Sequence, residues 1–131
     1  MQHIPFVDFK PLENKLHEDI ESAFSRVFSN SWYIQGKEGA AFERSFADYC
    51  EAGYCCGCGN GLDSLALPLG ALGIGPGDEV IVPANTFIAT ALAVTRVGAT
   101  PVFVDPRIET ANINPDLIES SLSSATKAIM P

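Results

Sequence analysis

Apolar positions recur along this chain with two different periods, and the period changes near residue 54. From Pro11 to about Phe28 they fall at Leu12, Leu16, Ile20, Phe24 and Val27 or Phe28. That is the three-and-four spacing of a helix with one buried stripe. Asn30 to Gly36 interrupts it and leaves Trp32 and Tyr33 in a loop. A second helix is predicted from about Gly39 to Glu51, with Phe42, Phe46 and Tyr49 or Cys50 inward and Gly53 as its stop. Residues 3–9, with Pro5, read as an extended lead-in.

From residue 54 short continuous apolar runs alternate with helical ones. Strands are predicted at Tyr54–Cys58, Glu79–Val82, Pro101–Val104 and Lys127–Met130. Between them Leu62–Leu72 reads as a helix with Leu62, Leu65, Ala66, Leu69 and Leu72 on one side and Asn60 as its cap. Pro68 removes one backbone bond from that helix and predicts a kink. Thr86–Val97 reads as a helix capped by Thr86 and closed by Gly98, and Asn114-Pro115 opens another to about Leu122. Continuous apolar strands separated by helices describe an α/β fold with a mostly parallel sheet covered on both faces, a three-layer arrangement. The organisation expected is a helical segment, residues 1–53, followed by residues 54–131 as part of one α/β domain. About four strands are present, and the chain stops at Pro131 directly after one of them, as part of something longer would.

Composition narrows the class. The 131 residues are 47% hydrophobic and 18% charged, with a formal net charge of −8. That is globular, and it lacks the clustered Lys and Arg of a nucleic-acid surface. No apolar run is long enough to span a bilayer and no basic start is followed by an apolar stretch, so a cytoplasmic protein is expected, without a membrane role. Cys55 and Cys58 have C-x-x-C spacing, but successive strand residues point to opposite faces, so the two should not converge, and no second ligand pair follows. Cys50, Cys55, Cys56 and Cys58 are therefore read as small buried hydrophobes, with no metal site.

Three stretches can carry chemistry. Gly57-Cys58-Gly59-Asn60-Gly61-Leu62-Asp63-Ser64 puts three glycines and an asparagine between an apolar run and a helix start. Unpaired N–H groups there favour an anion, most often phosphate, although such turns also serve only to reverse the chain. In Pro83-Ala84-Asn85-Thr86-Phe87, Phe87 either stacks on a planar ring at a strand's carboxyl edge or begins the core of its helix. Asp105 ends a strand and either contacts a ligand or forms a turn before Pro106. Conventional catalytic sets are missing. His3 and His17 have no nucleophile to serve, and none of Lys10, Lys15, Lys37 and Lys127 occupies the desolvated position that a covalent cofactor lysine needs.

The succession of motifs resembles the DegT/DnrJ/EryC1/StrS family of pyridoxal-phosphate-dependent sugar aminotransferases. It runs from Ile4-Pro5-Phe6-Val7-Asp8 through Trp32-Tyr33-Ile34-Gln35-Gly36-Lys37-Glu38 and Phe42-Glu43-Arg44-Ser45-Phe46-Ala47. It continues with Gly59-Asn60-Gly61-Leu62-Asp63-Ser64-Leu65, Gly75-Pro76-Gly77-Asp78-Glu79-Val80-Ile81-Val82-Pro83 and Asn85-Thr86-Phe87-Ile88-Ala89-Thr90, and ends with Gly98–Asp105 and Thr126–Ile129. The resemblance implies the type I aminotransferase large domain, cut after about four strands. It implies pyridoxal 5'-phosphate as cofactor, with Gly61, Leu62 and Asp63 in the turn that holds its phosphate and Phe87 stacked on its pyridine ring. Trp32, Tyr33 and Lys37 correspond to the stretch near the sugar-nucleotide pocket. Partners implied are a nucleotide-linked keto sugar, closest to dTDP-linked 3-keto-6-deoxyhexoses, an amino-acid donor such as glutamate, and a second copy in a homodimer. In the family the cofactor's aspartate and lysine lie beyond the equivalent of Pro131. The expectation is therefore the N-terminal portion of such an enzyme, inactive alone, with a catalytically inactive binding or regulatory module as the alternative.

Overall fold

A computed structural model of the chain describes residues 4–131; His3 and the beginning of the expected lead-in lie outside the described residues. The chain divides into two compact units, the first ending at Gly57 and the second spanning Cys58–Pro131. In the first unit α1 runs Lys10–Asn30 and α2 runs Lys37–Tyr49. Pro11 sits in the first turn of α1, where its missing N–H costs nothing. The helix ends at Ser31, which turns left-handed (φ 51°) and donates its N–H to the Phe28 carbonyl.

Both predicted helices form, but their apolar stripes are not buried. In α1, Leu16 and Val27 are half-buried while Leu12, Ile20, Phe24 and Phe28 are exposed; in α2, Ala47 is buried and Phe42 and Phe46 are exposed. The rings pair along each helix instead, Phe24 with Phe28 at 5.9 Å and Phe42 with Phe46 at 5.5 Å between centroids. Periodicity is a local property of the chain, whereas burial requires a second surface. The cysteines depart from expectation in the same way. Cys50, Cys56 and Cys58 are exposed and Cys55 is half-buried. The reason is that residues 54–58 form no strand, and Tyr54 is exposed. Gly57 instead donates its N–H to Glu43 Oε1 at 2.7 Å.

The second unit is an α/β layer. In chain order it contains α3 (Gly61–Ala71), β1 (Glu79–Pro83), α4 (Ile88–Arg96), β2 (Thr100–Val104), a 3-10 turn at Pro115–Leu117, α5 (Ile118–Ser121) and β3 (Thr126–Ile129). Among the described residues the sheet has three strands, in the order β2-β1-β3, all parallel. Glu79 pairs with Thr100 and Pro83 with Val104 on one side; Val80 pairs with Ala128 on the other. Among the described residues there are three strands rather than about four, because residues 54–58 belong to none. The central strand is the continuous apolar one, and Val80, Ile81 and Val82 are fully buried. Alternation sends Val80 and Val82 to one face, where they meet Ala66 and Leu69 of α3 and Ala93 and Val94 of α4.

α3 passes through Pro68 without ending. Pro68 and Ser64, whose carbonyl loses its partner, are both exposed, so water can serve the freed oxygen. Asn114 opens a 3-10 turn followed by a single turn of α5, shorter than the expected helix, with its Oδ1 accepting the Asp116 N–H at 3.1 Å.

After α4 the chain turns at Gly98, with φ +85°, before entering β2. A Cβ there would stand 3.0 Å from Pro76 Cγ. Gly98→Ala meets both the left-handed backbone penalty and this contact, and should destabilise the protein by about 1–2 kcal/mol. A lowered urea midpoint at unchanged slope is the expected result.

The connections fix which ends of the helices meet. α3 leads into the start of β1 and α4 into the start of β2, and β1 and β2 are parallel neighbours. Both helices therefore run against the strands, and both N-termini, Gly61 and the Phe87–Ile88 step, face the carboxyl edge of the sheet.

Candidate functional site

The glycine-rich turn ahead of α3 is built by reciprocal bonds. Asn60 is extended at the cap position, and its Oδ1 accepts the Asp63 N–H at 3.0 Å. Its Nδ2 donates to Asp63 Oδ2 at 3.1 Å, and Ser64 Oγ donates to the Gly61 carbonyl at 2.7 Å. Asp63 Oδ1 accepts from Arg96 Nη1, on the last turn of α4, at 2.6 Å. A carboxylate in a helix's first turn is favoured by the helix dipole.

Two features leave the turn open to an anion. The N–H groups of Gly61 and Leu62, at the start of the helix, find no acceptor among the described residues. A Cβ added to Gly61 would meet nothing within 4 Å, so side-chain bulk does not shield the backbone there. At Gly59 the opposite holds: a Cβ would lie 2.8 Å from Asp63 Oδ2, so the carboxylate occupies the space that a side chain would fill. Leu62 is half-buried and packs against the core. These donors and this backbone geometry suit an anion such as a phosphate group.

Phe87 occupies the cap of α4 and is 79% exposed. It is not the first core residue of its helix; Ala93 and Val94 are buried instead. Thr86 is not the cap: its hydroxyl pairs with that of Thr90 at 2.9 Å. A cavity of about 270 Å³ opens on the same carboxyl edge, lined by Pro83, Asn85, Thr86 and Ala111 among others. Asp105 is exposed at the end of β2, and its carbonyl accepts the Asn114 N–H.

In the first unit, Trp32, Tyr33 and Lys37 line a cavity of about 380 Å³ together with Arg26 and Glu38. Gly36 lets the loop close: a Cβ would meet the Trp32 carbonyl oxygen at 2.8 Å. Arg26 forms a two-bond fork with Glu38, at 2.7 and 3.0 Å, and its third nitrogen donates to Ser22 Oγ at 2.8 Å. Hydrogen bonding to this guanidinium holds the Glu38 carboxyl below its ordinary value of 4.5. The pair's contribution to stability is present at neutral pH and is lost as pH falls through the lowered value. Arg26→Met should return the Glu38 titration midpoint toward 4.5, a change read from its carboxyl carbon by NMR.

Among the described residues no cluster of His, Cys, Asp or Glu could hold a metal ion, and no helix is long and apolar enough to cross a membrane. His17 pairs with Glu21 on the surface of α1, and Lys10, Lys15, Lys37 and Lys127 are all exposed. Sequence reasoning passed over Arg26 and Arg96. Their partners stand 12 and 33 positions away, a separation at which no periodic signal connects them.

The DegT/DnrJ/EryC1/StrS aminotransferase family profile matches residues 14–131. The dTDP-3-amino-3,6-dideoxy-alpha-D-galactopyranose transaminase of Aneurinibacillus thermoaerophilus is 52% identical over 97% of the chain. S. venezuelae DesV, solved in complex with a ketimine intermediate, superposes with a TM-score of 0.94 at 42% identity over 98% of the chain. NtdA from Bacillus subtilis, solved with bound cofactor PMP, gives 0.91 at 35% identity, again over 98%. The chain spans 35% of the length of the first two proteins and 30% of the third. Its α/β layer with a parallel sheet is the N-terminal stretch of their shared fold. By sequence and by fold, the chain belongs to the DegT/DnrJ/EryC1/StrS aminotransferase family.

Proposed function

We propose that this chain is the N-terminal portion of a pyridoxal-phosphate-dependent aminotransferase acting on a keto-sugar nucleotide, of the dTDP-linked 3-keto-6-deoxyhexose class, with glutamate as donor. The observation that carries this reading is the open pair of N–H groups at Gly61 and Leu62, on the same sheet edge as the exposed ring of Phe87, in a chain 52% identical to a transaminase of that class. The cofactor supplies the electron sink for amino-group exchange. Gly61 and Leu62 donate to its phosphate, Asp63 fixes the turn that aims them, and Phe87 covers the pyridine ring and excludes water from it. Trp32, Tyr33 and Lys37 serve the sugar nucleotide, the aromatics by stacking and the lysine as a cation for phosphate. Residues 54–131 begin the cofactor-binding domain and residues 1–53 form the helical segment ahead of it. The cofactor's lysine is supplied from outside these 131 residues, the protein works as a homodimer in the cytoplasm, and the 131 residues alone are inactive.

The test incubates the full-length protein with pyridoxal phosphate, glutamate and a dTDP-linked 3-keto-6-deoxyhexose. Aminated sugar nucleotide and 2-oxoglutarate should appear in equal amounts. Cofactor binding with neither product, across a panel of keto-sugar nucleotides, would replace the reading with a binding or regulatory module.

A further inference from the structure

An anion-binding turn should not carry an uncompensated negative charge, yet Asp63 places a carboxylate in the first turn of α3, one residue after Leu62. Its own N–H cannot help a phosphate, because Asn60 Oδ1 already takes it. The residue that removes the conflict comes from another helix. Arg96 Nη1 reaches Asp63 Oδ1 at 2.6 Å while Asn60 holds Oδ2, so both carboxylate oxygens are engaged. The Asp63 side chain is only 25% exposed, against 58% for Arg96. Arg96 lines a shallow cavity with Ala66, Leu67 and Gly70, so its stem follows the side of α3 while its head meets the carboxylate.

We propose that Arg96 is a positioning residue for the cofactor phosphate: it neutralises Asp63 and turns the carboxylate away from the anion, and the first turn of α3 then presents its donors to phosphate without opposition. This rests on the reading of Gly61–Asp63 as the phosphate turn. Among the described residues Asp63 is the only side-chain partner of Arg96, so the effect runs through that carboxylate.

The experiment measures equilibrium binding of pyridoxal phosphate and of pyridoxal, which lacks the phosphate, to the full-length protein. Arg96→Met should weaken pyridoxal phosphate about five- to tenfold and leave pyridoxal within about twofold. Arg96→Lys should recover most of the loss, since charge rather than fork geometry is required. Combined with Asp63→Asn, which removes the charge to be neutralised, Arg96→Met should cost less than about twofold. An unchanged affinity in Arg96→Met, an equal loss for both ligands, or the same loss in the Asp63→Asn background would overturn the proposal. If the unsubstituted protein fails to prefer pyridoxal phosphate over pyridoxal, the phosphate-turn reading falls first, a separate result.

Discussion

Phe87→Ala should lower the affinity for pyridoxal phosphate about tenfold to a hundredfold and leave the unfolding midpoint where it was. Replacing an aromatic that stacks on a planar heterocycle costs on the order of 1–3 kcal/mol. The stability half of the result follows from exposure. Phe87 is 79% accessible and contributes little to the core, so truncation leaves no cavity behind it. Titration followed by cofactor absorbance, with a urea melt of the same sample, reads both quantities. If Phe87 were a core residue the pattern would invert, with stability falling by about 3 kcal/mol or more.

Val82→Asp has the opposite character and the largest effect on folding. Val82 is fully buried on the central strand, against Ala66, Leu69, Ala93 and Val94. Among the described residues this core contains no buried polar or charged residue, so an introduced carboxylate would find no partner there. An unpaired buried charge costs about 3–5 kcal/mol even after protonation relieves part of it, a large share of a small domain's stability. Loss of the cooperative transition at neutral pH, with partial recovery in mild acid where the carboxyl is neutral, is the expected signature in circular dichroism melts.

The two variants separate what the sequence makes legible from what it hides. The helix after Asn60 could be read directly, because a cap residue and apolar positions at Leu62, Leu65, Ala66 and Leu69 are local instructions. The central strand was equally plain as a continuous apolar run. Residues 54–58 look just as strand-like, but a strand exists only by pairing along a ladder, and they join no strand of the sheet here. The exposed faces of α1 and α2 make the same point for burial: Phe24 and Phe42 declare a face, not what covers it. Phe87 could be read either way from composition, and its position at the sheet's carboxyl edge comes from the connections of β1 and α4. The Arg96–Asp63 contact was invisible, since nothing local to either residue identifies a partner on another helix.

The most direct test is an amide NMR titration of the isotope-labelled protein with pyridoxal phosphate and, separately, with pyridoxal. Large shifts at the Gly61 and Leu62 N–H signals are expected with the phosphorylated ligand alone, because those two donors have no acceptor of their own among the described residues. Tight binding of pyridoxal phosphate with both signals unmoved would put the phosphate somewhere else and contradict the account.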